Sequence, residues 1–210
     1  MSNTQEVKLL PLLSYPKVWE RVVLPFIKDC LIDSPLPSIR VFYPYPHHIV
    51  EQEPFPGITV DVENPSNLIE YLDKIRYNLT HPVDGRINCW DVIYLSRVLE
   101  HNSIRDSRYL FYIMKPLTTF VIVLVPDMER IAKILSQHDP NEWAFERLCF
   151  DIFNEPIPGD PFSCHRWWTT EKSVVQLAQS EGWEPIKVNQ LEVDFEGSVH
   201  VLITFRKHSF

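Results

Sequence analysis

Apolar positions recur at helical spacing from Pro16 to Asp29, where Val18, Trp19, Val22, Val23, Phe26 and Ile27 predict a packing helix bent at Pro25. Ile39 to Tyr43 reads as a strand halted by Pro44-Tyr45-Pro46, and Gly57 to Val62 as a second short strand. Asn64 as N-cap and Pro65 at the first helical position then open a helix striped by Leu68, Ile69 and Leu72. Ile75 to Leu79 predicts a third strand, and Trp90 to Leu95 the next. Ile104 to Met114 carries a helical face that Lys115-Pro116 ends, before Thr118 to Val125. That last run is apolar almost throughout, which is how a strand covered on both faces reads, so it is expected at the centre of a parallel sheet. Met128 to Leu135 and Trp143 to Phe153 read as helices, Asn154 to Cys164 as a proline-rich loop, and Thr169 as the cap of a helix through Ala178 ending at Gly182. Pro185 to Asp194 and Ser198 to Arg206 alternate as two strands joined at Glu196-Gly197.

Strands alternating with helices and closing in an antiparallel hairpin predict a three-layer α/β fold with a mostly parallel sheet. A chain of 210 residues suits one domain, taken as residues 37–210, behind an N-terminal arm and helix over 1–36. Hydrophobic residues at 45% and charged residues at 23% exclude disorder as the main state. The longest purely aliphatic or aromatic stretch, Phe120 to Val125, is too short to span a membrane. A net charge of -8 without a Lys/Arg cluster disfavours nonspecific nucleic-acid binding. Met1 to Pro16 lacks the pattern of a secretory signal and the four cysteines form no CxxC, so reduced thiols and a cytoplasmic location are expected.

Glycine changes the picture. Only 5 residues are glycine and 18 are proline, so stiff turns replace flexible ones, and the isolated glycines build neither GxGxxG nor a P-loop.

Trp90-Asp91-Val92-Ile93-Tyr94-Leu95-Ser96-Arg97-Val98-Leu99-Glu100-His101 resembles the fourth strand and following loop of class I S-adenosylmethionine-dependent methyltransferases. Met114-Lys115-Pro116, Phe120 to Pro126 and Asp127 are similar to the family's helix, Lys-Pro turn, fifth strand and Pro-Asp ending. His165-Arg166 to Thr169 and Glu181-Gly182-Trp183 resemble the segment flanking its final helix. The resemblance spans roughly Ile39 to Lys207 and implies a Rossmann-like class I methyltransferase fold with S-adenosylmethionine as cofactor. It implies that Asp61 lies where the family holds the cofactor ribose, that Tyr43, Ser96 and Glu100 line the cofactor site, and that His101 and His165 stand near the acceptor as catalytic candidates.

Val41-Phe42-Tyr43-Pro44-Tyr45-Pro46-His47-His48 departs from the family, whose glycine loop lets backbone approach the cofactor. Rings fill positions that are empty in the family, and prolines remove N–H donors. The family's Pro-Gly-Gly turn is likewise Pro116-Leu117-Thr118 here.

Each candidate has a second reading. Asp61 holds a ribose or caps a helix; Glu100-His101 faces a ligand cleft or fixes its loop; His165 is a general base or part of a packed corner with Arg166, Trp167 and Trp168. No zinc-type spacing joins His47-His48 to Cys164-His165, so no metal is expected. Two functions follow: a degenerate, catalytically inactive or remodelled protein serving as an interaction or assembly module with a protein partner, or an active methyltransferase with an unusual cofactor loop. A third is a different nucleotide in the reshaped crevice.

Overall fold

A computed structural model describes residues 18–32, 38–44, 57–63, 65–79, 89–137, 164–193 and 198–208. Its centre is a six-stranded sheet: β1 (Ile39–Pro44), β2 (Ile58–Glu63), β3 (Val92–Ser96), β4 (Phe120–Pro126), β5 (Trp183–Val193) and β6 (Ser198–Lys207). The order is β2-β1-β3-β4-β6-β5; the first four strands are parallel, and β6 enters antiparallel to both β4 and β5. The expected central strand is β4, parallel to one neighbour and antiparallel to the other.

A π-helical segment, Trp19–Val23, runs into α1 (Leu24–Ile32). The Leu24 N–H reaches back to the Trp19 carbonyl, a five-residue step just before Pro25, whose missing N–H would leave a gap in a regular α-helix. α2 is Leu68–Asn78, α3 Ile104–Met114, α4 Met128–Leu135 and α5 Glu171–Ser180. On one face of the sheet Phe42, Ile93, Val121, Val123 and Phe205 pack against Leu72 of α2, Leu110 and Phe111 of α3 and Val174 and Ala178 of α5. On the other, Val41, Tyr43, Tyr94, Ile122 and Leu202 meet Trp19, Val22, Val23 and Ile27.

Three expectations are corrected. Ile75 to Asn78 continue α2 instead of forming a strand; Leu68, Leu72 and Ile75 all pack on the core, so the helical stripe runs through the expected strand. Its cap is Asn67, whose side chain accepts from the Glu70 N–H at 3.2 Å, not Asn64. α5 is capped by Thr170 in a reciprocal box with Ser173, while Thr169 turns inward and donates to the Pro126 carbonyl at 2.7 Å. The helix expected at Trp143 to Phe153, the Asn154 to Cys164 loop up to its last residue, and the Glu196-Gly197 turn lie outside the described residues. None of the helices among the described residues is long and apolar enough to cross a membrane.

Candidate functional site

In an open α/β sheet, ligands bind beyond the carboxyl ends of the strands where the connections diverge. That point falls between β1 and β3: from β1 the chain passes to β2 on one side, and from β3 through α3 to β4 on the other.

Aromatic packing governs the β1 side. Strand alternation sends Phe42 and Tyr43 to opposite faces. Phe42 stacks on Trp90 at 4.4 Å between centroids and on Tyr71 of α2 at 5.8 Å. Tyr43, 5% exposed, stacks on Trp19 at 5.9 Å and meets Tyr94 at 4.8 Å. Burial pushes its pKa up, opposed by the nearby Ser96 side chain at the end of β3. Tyr43 therefore links the ends of β1 and β3 beside the point where the strand connections diverge. Asp61 accepts on one oxygen from the Trp90 indole N–H at 2.7 Å and from the Arg40 guanidinium at 3.2 Å. Trp90 ties it to the aromatic stack and Arg40 ties it to β1; neither is a helix N-terminus.

Polar groups gather on the β3 side. After Ser96 the chain enters the left-handed region at Arg97, φ 55°, strained for a non-glycine residue. The Arg97 N–H is meanwhile held by the Leu124 carbonyl at 2.8 Å. A short 3-10 turn, Leu99–His101, follows and is wholly buried. Glu100 is buried at the sheet edge, with Arg97 Nε 3.8 Å from its Oε1. Its backbone carbonyl accepts from the Arg166 and Trp167 N–H groups at 2.7 and 3.3 Å, docking the segment before α5 onto the turn. His101 Nδ1 lies 3.2 Å from the Cys164 carbonyl, and its ring meets that of His165 edge-on at 4.9 Å. Glu100, His101 and His165 thus come together, each offering a donor atom within 4.8 Å of the others.

The structure groups the sequence candidates into two sets: Tyr43 near Ser96, and Glu100, His101 and His165 in one cluster, with Asp61 apart on the Trp90 side. Sequence spacing did not foresee the cluster, because His101 and Cys164 stand 63 positions apart and meet only through tertiary contacts. The adjacency of Cys164-His165-Arg166-Trp167 was the available signal. His47 and His48 lie outside the described residues.

A S-adenosylmethionine-dependent methyltransferase from Methanosarcina mazei superposes with a TM-score of 0.50 at 11% identity, over 89% of this chain and 98% of its own. The Burkholderia thailandensis 1,6-didemethyltoxoflavin-N1-methyltransferase, solved with 1,6-didemethyltoxoflavin and S-adenosylhomocysteine, gives 0.51 at 12% identity, over 90% of this chain and 78% of its own. The chain has the class I methyltransferase fold. No protein-family model and no curated protein sequence matches it. Within this methyltransferase fold the Pro-Leu-Thr turn before β4 is part of the packing: Leu117 is fully buried, and the Thr118 hydroxyl donates to the Phe120 carbonyl at 3.0 Å.

Proposed function

We propose that the chain is a methyltransferase-fold protein whose cofactor crevice has been remodelled into packed core, and that it acts as an interaction module in the cytoplasm without transferring methyl groups. One observation carries this reading: Tyr43, where the family's glycine loop begins, is buried between Trp19 and Tyr94. A cofactor methionine chain needs open space and backbone donors at this edge. Buried Pro44, the next residue, has no N–H to give. Making room would require moving β1 itself, since a packed core yields little to added volume. Asp61, the ribose candidate, is engaged by Trp90 and Arg40, so a ribose would compete with bonds already made.

The partner reading is supported by the outer face of α2 and α3. Tyr77 is 83% exposed, and exposed Tyr109 and Tyr112 stack on each other at 5.9 Å, with the Arg76 guanidinium over Tyr112. Tyrosine and arginine are the residue types enriched in protein interfaces.

The test is thermal melting with S-adenosylhomocysteine for the wild type and for Tyr43→Ala. The wild type is expected to show no shift at millimolar ligand, and the variant to gain one as the ring is removed. A shift of equal size in both contradicts occlusion by Tyr43.

A second reading, an active enzyme with a different cofactor loop, is favoured by the Glu100-His101-His165 cluster on the acceptor side of the carboxyl edge. In it, His101 or His165 takes the acceptor's proton while the sulfonium supplies the leaving group.

A further inference from the structure

We propose that Glu100, His101 and His165 form a binding site for a divalent first-row transition ion of the zinc type, at the carboxyl edge of β3. The donor set is two imidazole nitrogens and one carboxylate, the mixture that suits zinc and its borderline neighbours and not the all-oxygen shells of calcium or magnesium. Three protein donors leave a coordination position for water or a substrate oxygen.

The second observation is the support around the ligands. His101 lies with Nδ1 3.2 Å from the Cys164 carbonyl. As an Nδ1–H donor there, it turns its Nε2 lone pair the other way, the arrangement by which metal-binding histidines are commonly oriented. The same carbonyl belongs to the residue before His165, so one contact orients one imidazole and fixes the chain carrying the other. Arg166 and Trp167 N–H groups on the Glu100 carbonyl complete that brace. The Glu100 side chain is wholly buried, where a carboxylate gains from a nearby cation.

The donors lie within 4.8 Å of one another, whereas two ligands about 2.1 Å from a tetrahedral ion stand about 3.4 Å apart. The half-buried His165, on the segment before α5, is the ligand placed to make that closure. Arg97 Nε, 3.8 Å from Glu100 Oε1, competes for the same carboxylate and so lowers affinity relative to a site without it.

This site is independent of the cofactor reading, and its test contains no cofactor. The full chain, freed of metal by chelation, is titrated with Zn2+ by calorimetry and with Co2+ by visible absorption. One equivalent is expected to bind, with His165→Ala weakening it about a hundredfold or more and removing the cobalt absorption, while His208→Ala at the end of β6 changes neither. Glu100→Gln is expected to act likewise, but removing a buried charge threatens folding, so the decision rests on His165→Ala checked by circular dichroism. Absence of stoichiometric binding, or an unchanged cobalt spectrum in His165→Ala, overturns the proposal and leaves the three residues as a hydrogen-bonded cluster or the ion as adventitious.

Discussion

The two halves of the sheet's carboxyl edge are built from different chemistry. On the β1–β2 side, Phe42, Tyr43, Tyr71, Trp90 and Trp19 stack across both faces, and the Asp61 carboxylate accepts from the Trp90 indole. On the β3–β4 side, Glu100, His101 and His165 gather beyond β3, and Asp127 caps α4 at the end of β4. Both halves are ordered by contacts, but one spends its side chains on packing and the other keeps titratable groups together in a strained turn. Under the proposed function, the half that would hold a cofactor has become core, while the other half keeps a carboxylate and two imidazoles together.

Mutation should separate these halves by energy. Tyr43→Ala removes a ring packed between Trp19 and Tyr94 and is expected to cost about 3–5 kcal/mol in chemical denaturation. A cost under about 1 kcal/mol would mean that the ring is not part of the core. Trp90→Phe keeps the stack on Phe42 but deletes the donor to Asp61; because that carboxylate is one-third exposed, a loss of about 1 kcal/mol is expected from the same measurement. On the polar side, His165→Ala should cost less than about 1 kcal/mol, since its ring is only half-buried. Equal losses for Tyr43→Ala and His165→Ala would erase the contrast.

The smallest effect is a pH dependence. Burial pushes the Asp127 carboxyl up from its ordinary value of 3.8, while its bond to the Arg130 N–H at the start of α4 opposes the shift. The folded state therefore holds this proton more tightly than the unfolded chain. Its contribution to stability falls as pH rises from 3.8 through the raised folded value, and the cost is fully present above it. Asp127→Asn keeps a capping oxygen without the charge, so its melting temperature should gain on the wild type across that window and hold the gain at neutral pH. A difference that does not vary with pH would show that burial of the charge is not what Asn relieves.

Much of the fold was legible because local pattern and tertiary packing agree. The α3 and α4 spans and the run that became β4 coincide with their apolar stripes, and Ser103 and Asp127 cap the two helices with side chains accepting from N–H groups three residues on. The pattern misled at Ile75 to Leu79, where apolar residues fit a short strand as well as the last turns of a helix and packing against α3 decided. Legibility of the site was uneven. The aromatic packing at β1 was readable because Phe42 and Tyr43 stand adjacent in a strand, where alternation sends one ring to each face. The Glu100-His101-His165 cluster was not, because its members meet through two backbone bonds onto the Glu100 carbonyl and the contact of His101 with the Cys164 carbonyl, and nothing in sequence spacing encodes these.

The central claim, that aromatic packing has taken the cofactor's place, is tested most directly by calorimetric titration with S-adenosylmethionine and S-adenosylhomocysteine, using Asp61→Ala as control. The account predicts no heat of binding at millimolar ligand for either protein. Micromolar binding by the wild type that disappears in Asp61→Ala would contradict it and show a working cofactor site built around that carboxylate.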